Sequence, residues 1–393
     1  MLKRGSIVRT VLQPRCMAEV RFQREGAATP RLLKRGSSVR TVLQPRRTAE
    51  AAFRPQARTP LLGRPQDGAV PFRPGRVGRH APGMTKPDPW LIAVAAQRAG
   101  LFTTHDALTH GSSHPEIRSA ARAGLCRSVL RGVYSTAAPP ETPEDHLTEL
   151  TRAMLLICPQ AVATGRSALV LRGIPLFDVN FTRAQGVWVN KNGRHSTPQM
   201  LIRRPLVFPD VEEHEGWRVT SVAWSLVDLA RDAGVVAGVV AMDAALRAEL
   251  VTAEDVSAVV DRLEGSRRLP RVRQMIDRAC PLSESAGESR LRLIAADGGL
   301  ELEPQFEIRL ADGRCFRSDF RVKGTRVLLE FDGLVKYAGA EGRRALAREK
   351  EREDALRAAG WIVVRITWRE LDRPAQLLAR IKAAIATAER AAS

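Results

Sequence analysis

The chain is short of cysteine, tyrosine and long apolar runs, and each shortage excludes a class of protein. Its cysteines (Cys16, Cys126, Cys158, Cys280 and Cys315) are odd in number, far apart and never in a CxxC pair. That excludes a disulfide framework and a zinc knuckle, and it points to a reducing cytoplasm. No apolar run approaches the roughly eighteen residues a membrane helix needs, because Arg, Asp or Gly interrupts every stretch. With 5% aromatic residues and 2 tyrosines, the chain lacks a base-stacking platform for single-stranded RNA. What is there suits a soluble, multidomain protein: 393 residues, 44% hydrophobic and 27% charged, enough for two or three cores.

Acids are scarce in one place. Residues 1–83 hold 18 Lys and Arg against 4 Asp and Glu, whereas the other 310 residues hold 44 against 39. Most of the formal net charge of +19 therefore sits in the first fifth of the chain. That segment also carries 9 of the 24 prolines and repeats itself, LKRGSIVRTVLQPR at 2–15 returning as LKRGSSVRTVLQPR at 33–46. Two copies cannot stack into a solenoid, and neither has an apolar face. The favoured reading is a disordered basic segment, with Met84 as a candidate natural start and translation of residues 1–83 left open. The alternative is a basic arm that coats nucleic acid through its phosphates.

Helical patterning begins after Met84. Trp90, Leu91, Val94 and Ala95 share a face closed by Gly100; a second short helix follows Thr104, and a third starts at Ser113 with Glu116 completing a capping box. LCRSVLRGVY then reads as a basic hairpin turning at Gly132. Three short helices and a basic hairpin outline a winged helix-turn-helix. On GLFTTHDAL, the helix entered at Ser113 and LCRSVLRGVY, residues 84–138 resemble the N-terminal domain of the AbiEi-type antitoxins of type IV toxin–antitoxin systems. The resemblance implies DNA binding at the operon's own promoter. It makes Arg118, Arg122, Arg127 and Arg131 the DNA-contact candidates, on the third helix and the wing. His105, His110 and His114 fall on separate elements and read as surface histidines rather than metal ligands.

Residues 140–281 read as an α/β connector. HLTELTRAMLLICP and AVATGRSALVLRGI pattern as helices, and GVWVNK, QMLIRRPL and GWRVTSV as strands at hairpin-like spacing, with turns at 190–193 and 209–216. Helices follow in SVAWSLVDLARDAG, VVAGVVAMDAALRAEL and TAEDVSAVVDRLEG. Asp228, Asp232 and Asp243 read as solvent-facing or capping acids. The order of elements is similar to the body of the same antitoxins, where this region connects or docks a partner.

The last segment, 282–393, carries the chemistry. A helix capped at Ser283, two strands joined at ADG, a third strand RVLLEFDG, a charged helix from Arg343 to Ala359 and a fourth strand WIVVRITW follow in order. Alternation puts Asp319 opposite Ser318 and Phe320, and it puts Glu330 and Asp332 on one face, about 7 Å apart at the strand rise. Acids in so apolar a strand are costly unless a cation meets them. Phosphodiester hydrolysis needs a hard divalent ion held by oxygens and a cation beside the nucleophile. Asp319 and Glu330 suit the first task, as ligands for Mg²⁺ or Mn²⁺, with Glu288 of the first helix and Asp332 assisting; Lys336 suits the second.

The segment resembles the PD-(D/E)xK nuclease superfamily and, within it, Vsr-like endonuclease domains. The carrying residues are Glu288, Asp319 in SDF, Glu330, Asp332 and Lys336 in LLEFDGLVKY, and Glu349, Arg352, Leu356, Gly360, Val363 and Arg365 in EKEREDALRAAGWIVVRITW. The departures are that Asp332 stands where the superfamily has its lysine, and that no histidine follows His214. Mismatch-directed nicking is therefore not implied. The charged helix reads as a solvated face, with Arg352 alone as a substrate-contact candidate. The whole is expected to be an α+β and α/β multidomain protein with DNA as its partner. Its leading reading is a Mg²⁺-dependent endonuclease. The alternative is a non-catalytic, antitoxin-like transcriptional regulator with a toxin partner.

Overall fold

The computed structural model describes residues 89–189, 193–205, 207–333 and 339–392. The basic segment 1–83, Met84 and Lys336 lie outside the described residues. Among the described residues no helix is long and apolar enough to cross a membrane.

The head comprises α1 (Pro89–Ala96), β1 (Leu101–Thr103), α2 (Thr104–Thr109), α3 (His114–Arg122), β2 (Arg127–Leu130) and β3 (Val133–Ser135). Thr103 and Ser113 cap α2 and α3: each hydroxyl accepts from the third helical amide, and Asp106 and Glu116 accept from the cap amides in return. The reciprocal bonds satisfy donors that a helix start otherwise leaves open. β1, a strand not expected from the sequence, pairs antiparallel with β3, so the sheet order is β1-β3-β2.

The middle begins with α4 (Pro143–Ile157), β4 (Ala161–Ala163), α5 (Arg166–Leu171), β5 (Ala184–Trp188), β6 (His195–Ser196), β7 (Met200–Arg203), β8 (Val211–His214) and β9 (Trp217–Thr220). Four helices follow: α6 (Val222–Ala233), α7 (Val235–Arg247), α8 (Ala253–Arg262) and α9 (Leu269–Arg278). The strands do not form the expected succession of hairpins. β5 and β7 run parallel, β4 inserts between β5 and β9, and the sheet order is β6-β7-β5-β4-β9-β8. The stretch expected as a turn at 209–216 contains β8. The stretch expected as one helix from Ala161 is a fully buried strand followed by a helix. Leu226, Leu229, Met242 and Met275 form a helical core, all below 2% exposed.

The last segment is α10 (Ala286–Asp297), β10 (Leu302–Arg309), β11 (Cys315–Val322), β12 (Val327–Asp332), α11 (Gly339–Ala358), β13 (Ile362–Thr367), α12 (Trp368–Leu371) and α13 (Pro374–Ala392). β10, β11 and β12 are antiparallel, and β13 returns through α11 to lie parallel to β12, Glu330 beside Arg365. A parallel pair needs such a crossover, and the helix supplies it. The α10 cap is Ser285 rather than the expected Ser283, which is buried.

Cores cross both expected domain borders. Leu101, Val129, Leu130 and Val133 of the head pack into one cluster with Leu150, Met154, Trp188, Ile202 and Val219 of the middle. Leu293 of α10 joins the helical core of α6, α7 and α9. Fully burying such a side chain stabilises by about 1.5–3 kcal/mol, so the segments 84–138, 140–281 and 282–393 lean on one another. Asp243 adds a polar weld. At 1% exposure it accepts from the Cys280 amide at 2.7 Å, the Ser289 hydroxyl at 2.7 Å and Arg292 at 2.8 Å. It is not the solvent-facing acid expected from its helix.

Candidate functional site

The candidates from the sequence fall in two sets, the arginines of the head and the carboxylates of the last segment. Arg118 and Arg122 are exposed on α3, and Arg131 is exposed in the β2–β3 turn. Arg127 differs. Its guanidinium closes on both oxygens of Glu149 in α4, and it also donates to the Ala138 carbonyl at 3.2 Å. It fastens the hairpin to the middle.

The carboxylates converge because β12 approaches the start of α10 closely. A Cβ on Gly287 would stand 2.1 Å from Cε1 of Phe331, so only glycine lets that ring, set edge-on to Trp368 at 5.0 Å, lie against the helix. Glu288 follows directly and is 6% exposed. Its oxygens accept from the Glu284 amide at 2.8 Å, the Ser285 hydroxyl at 2.8 Å and Gln305 at 3.3 Å. Asp319 accepts from the Phe331 amide at 2.7 Å. Burial, with the charges of Glu288, Glu330 and Glu284, pushes Asp319 up to about 6, against the opposing pull of that amide. Glu288 is likewise raised, chiefly by burial, with Glu284 adding to it. The structure thus brings Glu288, Asp319 and Glu330 within electrostatic reach of one another.

Glu330 is held by a cation. Arg352 of α11 binds one of its oxygens through Nη1 at 3.2 Å and the other through Nη2. The same arginine binds Glu349 at 2.9 Å and the Arg317 carbonyl at 2.9 Å. Arg352 thus ties α11 to β11 and β12. Glu349 and Glu353 pair with Arg365 of β13, so the charged helix docks by ion pairs on the face expected to be solvated. Asp332 lies exposed at the strand end, and Lys336 is outside the described residues. The sequence reading missed Glu284, whose charge reaches Asp319, and Gly287, whose missing side chain sets the approach.

These residues do not fit a divalent ion as they stand. Arg352 takes both oxygens of Glu330, the α10 cap and Gln305 take those of Glu288, and of these three converging carboxylates Asp319 keeps an oxygen without a partner among the described residues. No three His, Cys, Asp or Glu side chains among the described residues are placed to hold a metal together.

Comparison with known proteins places the likeness in the middle of the chain. Residues 161–278 match the family described as the AbiEi antitoxin C-terminal domain. That span lies within the segment likened above to the antitoxin body, and the head lies outside it. The chain is also 30% identical, over 261 residues, to the uncharacterized proteins MT2308 and Rv2248 of two Mycobacterium tuberculosis strains. Each alignment spans 66% of this chain and 91% of the relative. The chain belongs to the family that these mycobacterial proteins represent, with an AbiEi-antitoxin-like C-terminal domain at residues 161–278.

Proposed function

We propose that the protein is an antitoxin-like, DNA-binding regulator of a type IV toxin–antitoxin pair, working in the cytoplasm. The observation that carries this is the match of residues 161–278 to an antitoxin domain, which follows a small basic head and α4. The order α1-β1-α2-α3-β2-β3 supports reading that head as a winged helix. In such a head, α3 enters the major groove and the β2–β3 turn lies along the backbone. Arg118, Arg122 and Arg131 are then the phosphate contacts, and the 161–278 domain engages the toxin. The test is growth rescue: the protein is co-expressed with the product of the adjacent gene, expected to be a nucleotidyltransferase toxin. Rescue supports the reading, and unrelieved toxicity counts against it.

A second reading has one observation in its favour. The order α10-β10-β11-β12-α11-β13 supports a PD-(D/E)xK-like fold, and Asp319 sits among carboxylates whose charge it meets without a cation of its own. A metal-dependent endonuclease would need Glu330 released from Arg352. Its test is Mg²⁺- or Mn²⁺-dependent nicking of DNA that disappears in Asp319→Ala. A nuclease-like domain retained only for binding predicts no nicking with either ion.

A further inference from the structure

A cleft of about 460 Å³ opens on the middle segment between β5, the end of β7, α6 and the turn from α8 to α9. Six arginines line it: Arg194, Arg203, Arg204, Arg231, Arg267 and Arg268. Two acids face them, and both are already engaged. Asp232 accepts from Arg203 at 3.0 Å and from Gln185 at 2.6 Å; Asp228 accepts from the Thr164 hydroxyl at 2.6 Å and lies 3.7 Å from Arg231. No carboxylate among the described residues pairs with Arg194, Arg204, Arg267 or Arg268. Several cations on one concave wall, with their neighbouring acids spent on other partners, mark a place for an anion.

The remaining lining narrows the anion's class. Val187, Trp224 and Leu263 are apolar and buried, at 5%, 3% and 2% exposure. Gln185 is 1% exposed, with its amide nitrogen on Asp232 and its carbonyl oxygen lacking a partner among the described residues. That carbonyl lies where a Cβ on Gly165, at φ +53°, would come within 2.7 Å of it. A bare phosphate uses arginines alone and gains nothing from an indole and a buried amide. A duplex backbone lies along open surface and does not reach a recessed polar floor. A cleft of this size with convergent polar groups and an apolar wall fits a small molecule.

We propose that this cleft binds a nucleoside phosphate, its phosphates held by the arginines that no carboxylate pairs and its base turned toward Trp224 and Gln185. The inference rests on the cleft alone, so it stands or falls separately from the antitoxin reading. The test is calorimetric titration of the full chain with ATP, GTP, CTP, UTP and, as the anion control, inorganic tripolyphosphate. At least one nucleotide is expected to saturate the site about tenfold more tightly than tripolyphosphate. Arg204→Ala combined with Arg267→Ala, both exposed and therefore compatible with folding, is expected to weaken that binding about tenfold or more. Three results overturn the proposal: no binding by any of the four nucleotides, equal binding by tripolyphosphate, or nucleotide affinity unchanged in the double variant. If the double variant loses duplex-DNA affinity while no nucleotide binds, the cleft is a nucleic-acid surface instead.

Discussion

Arg352 grips Glu330 with both terminal nitrogens of its guanidinium, joining α11 to β12 across 22 positions of sequence. Both side chains are largely buried, at 19% and 14% exposure. Removing one partner strands the other charge, which costs more than the pair contributes. Arg352→Ala is expected to destabilise the protein by about 1–3 kcal/mol, and adding Glu330→Gln to recover part of it. Urea denaturation of the three proteins reads this directly. An Arg352→Ala variant as stable as wild type would return Arg352 to the role of substrate contact.

Asp319 makes stability depend on pH in a definite direction. Its folded value of about 6 lies above the ordinary 3.8, so the folded state binds its proton more tightly than the unfolded state does. Between those values the folded form holds more protons, and this group's contribution to stability falls as pH rises through the window. Asp319→Asn is expected to stabilise by about 1–2 kcal/mol above the window, after allowance for solvent screening, and to have no effect near its lower end. Thermal melts across the pH range check both limbs. Equal stabilisation at the acid end would mean that the carboxylates are not coupled.

Gly287 is expected to tolerate no side chain. A Cβ there overlaps the Phe331 ring, which is packed edge-on against Trp368. Gly287→Ala must push β12 from α10 at a cost of about 1–3 kcal/mol, as overpacking generally does. Combining it with Phe331→Leu, which vacates the space, is expected to cost less than the sum of the two single changes. Strict additivity in denaturant melts would remove the contact from the explanation of how Glu288 nears Asp319.

Asp243 joins α7 to α10 through Arg292, Ser289 and the Cys280 amide. Asp243→Ala leaves a nearly buried guanidinium without its counter-charge and is expected to cost about 3–5 kcal/mol. The loss should appear in one cooperative transition, since the helical core spans the same border. Two separated transitions in the wild-type protein would contradict that coupling.

Local signals were legible in the sequence, and long-range ones were not. Ser113 with Glu116 announced a helix start because the capping bonds lie within three residues. The succession of elements in the last segment could be read from alternation in RCFRSDFRV and from the nearly continuous apolar run of WIVVRITW. β4 was not legible: three residues, Ala161–Ala163, carry no period and merge with the apolar helix behind them. β8 was hidden because Val211, Glu212 and Glu213 are all exposed, so no alternation marks an edge strand. Asp243 looked like a surface acid because its partners lie 37 to 49 positions away. The same distance effect hid the tie from Arg352 to Glu330 and, in the cleft, the meeting of Arg203, Asp232 and Gln185.

The most direct measurement is binding of the full chain to duplex DNA from upstream of its own coding region, over a range of salt. The comparison is with the exposed triple variant Arg118→Ala, Arg122→Ala, Arg131→Ala. Wild type should bind with an affinity that falls steeply as salt rises. The triple variant should bind more weakly, with the salt slope reduced by about 1 for each phosphate contact removed. Arg127→Ala should instead lower stability through the loss of Glu149. A wild-type protein that ignores its upstream DNA, or a triple variant with unchanged affinity and slope, would contradict a DNA-binding head.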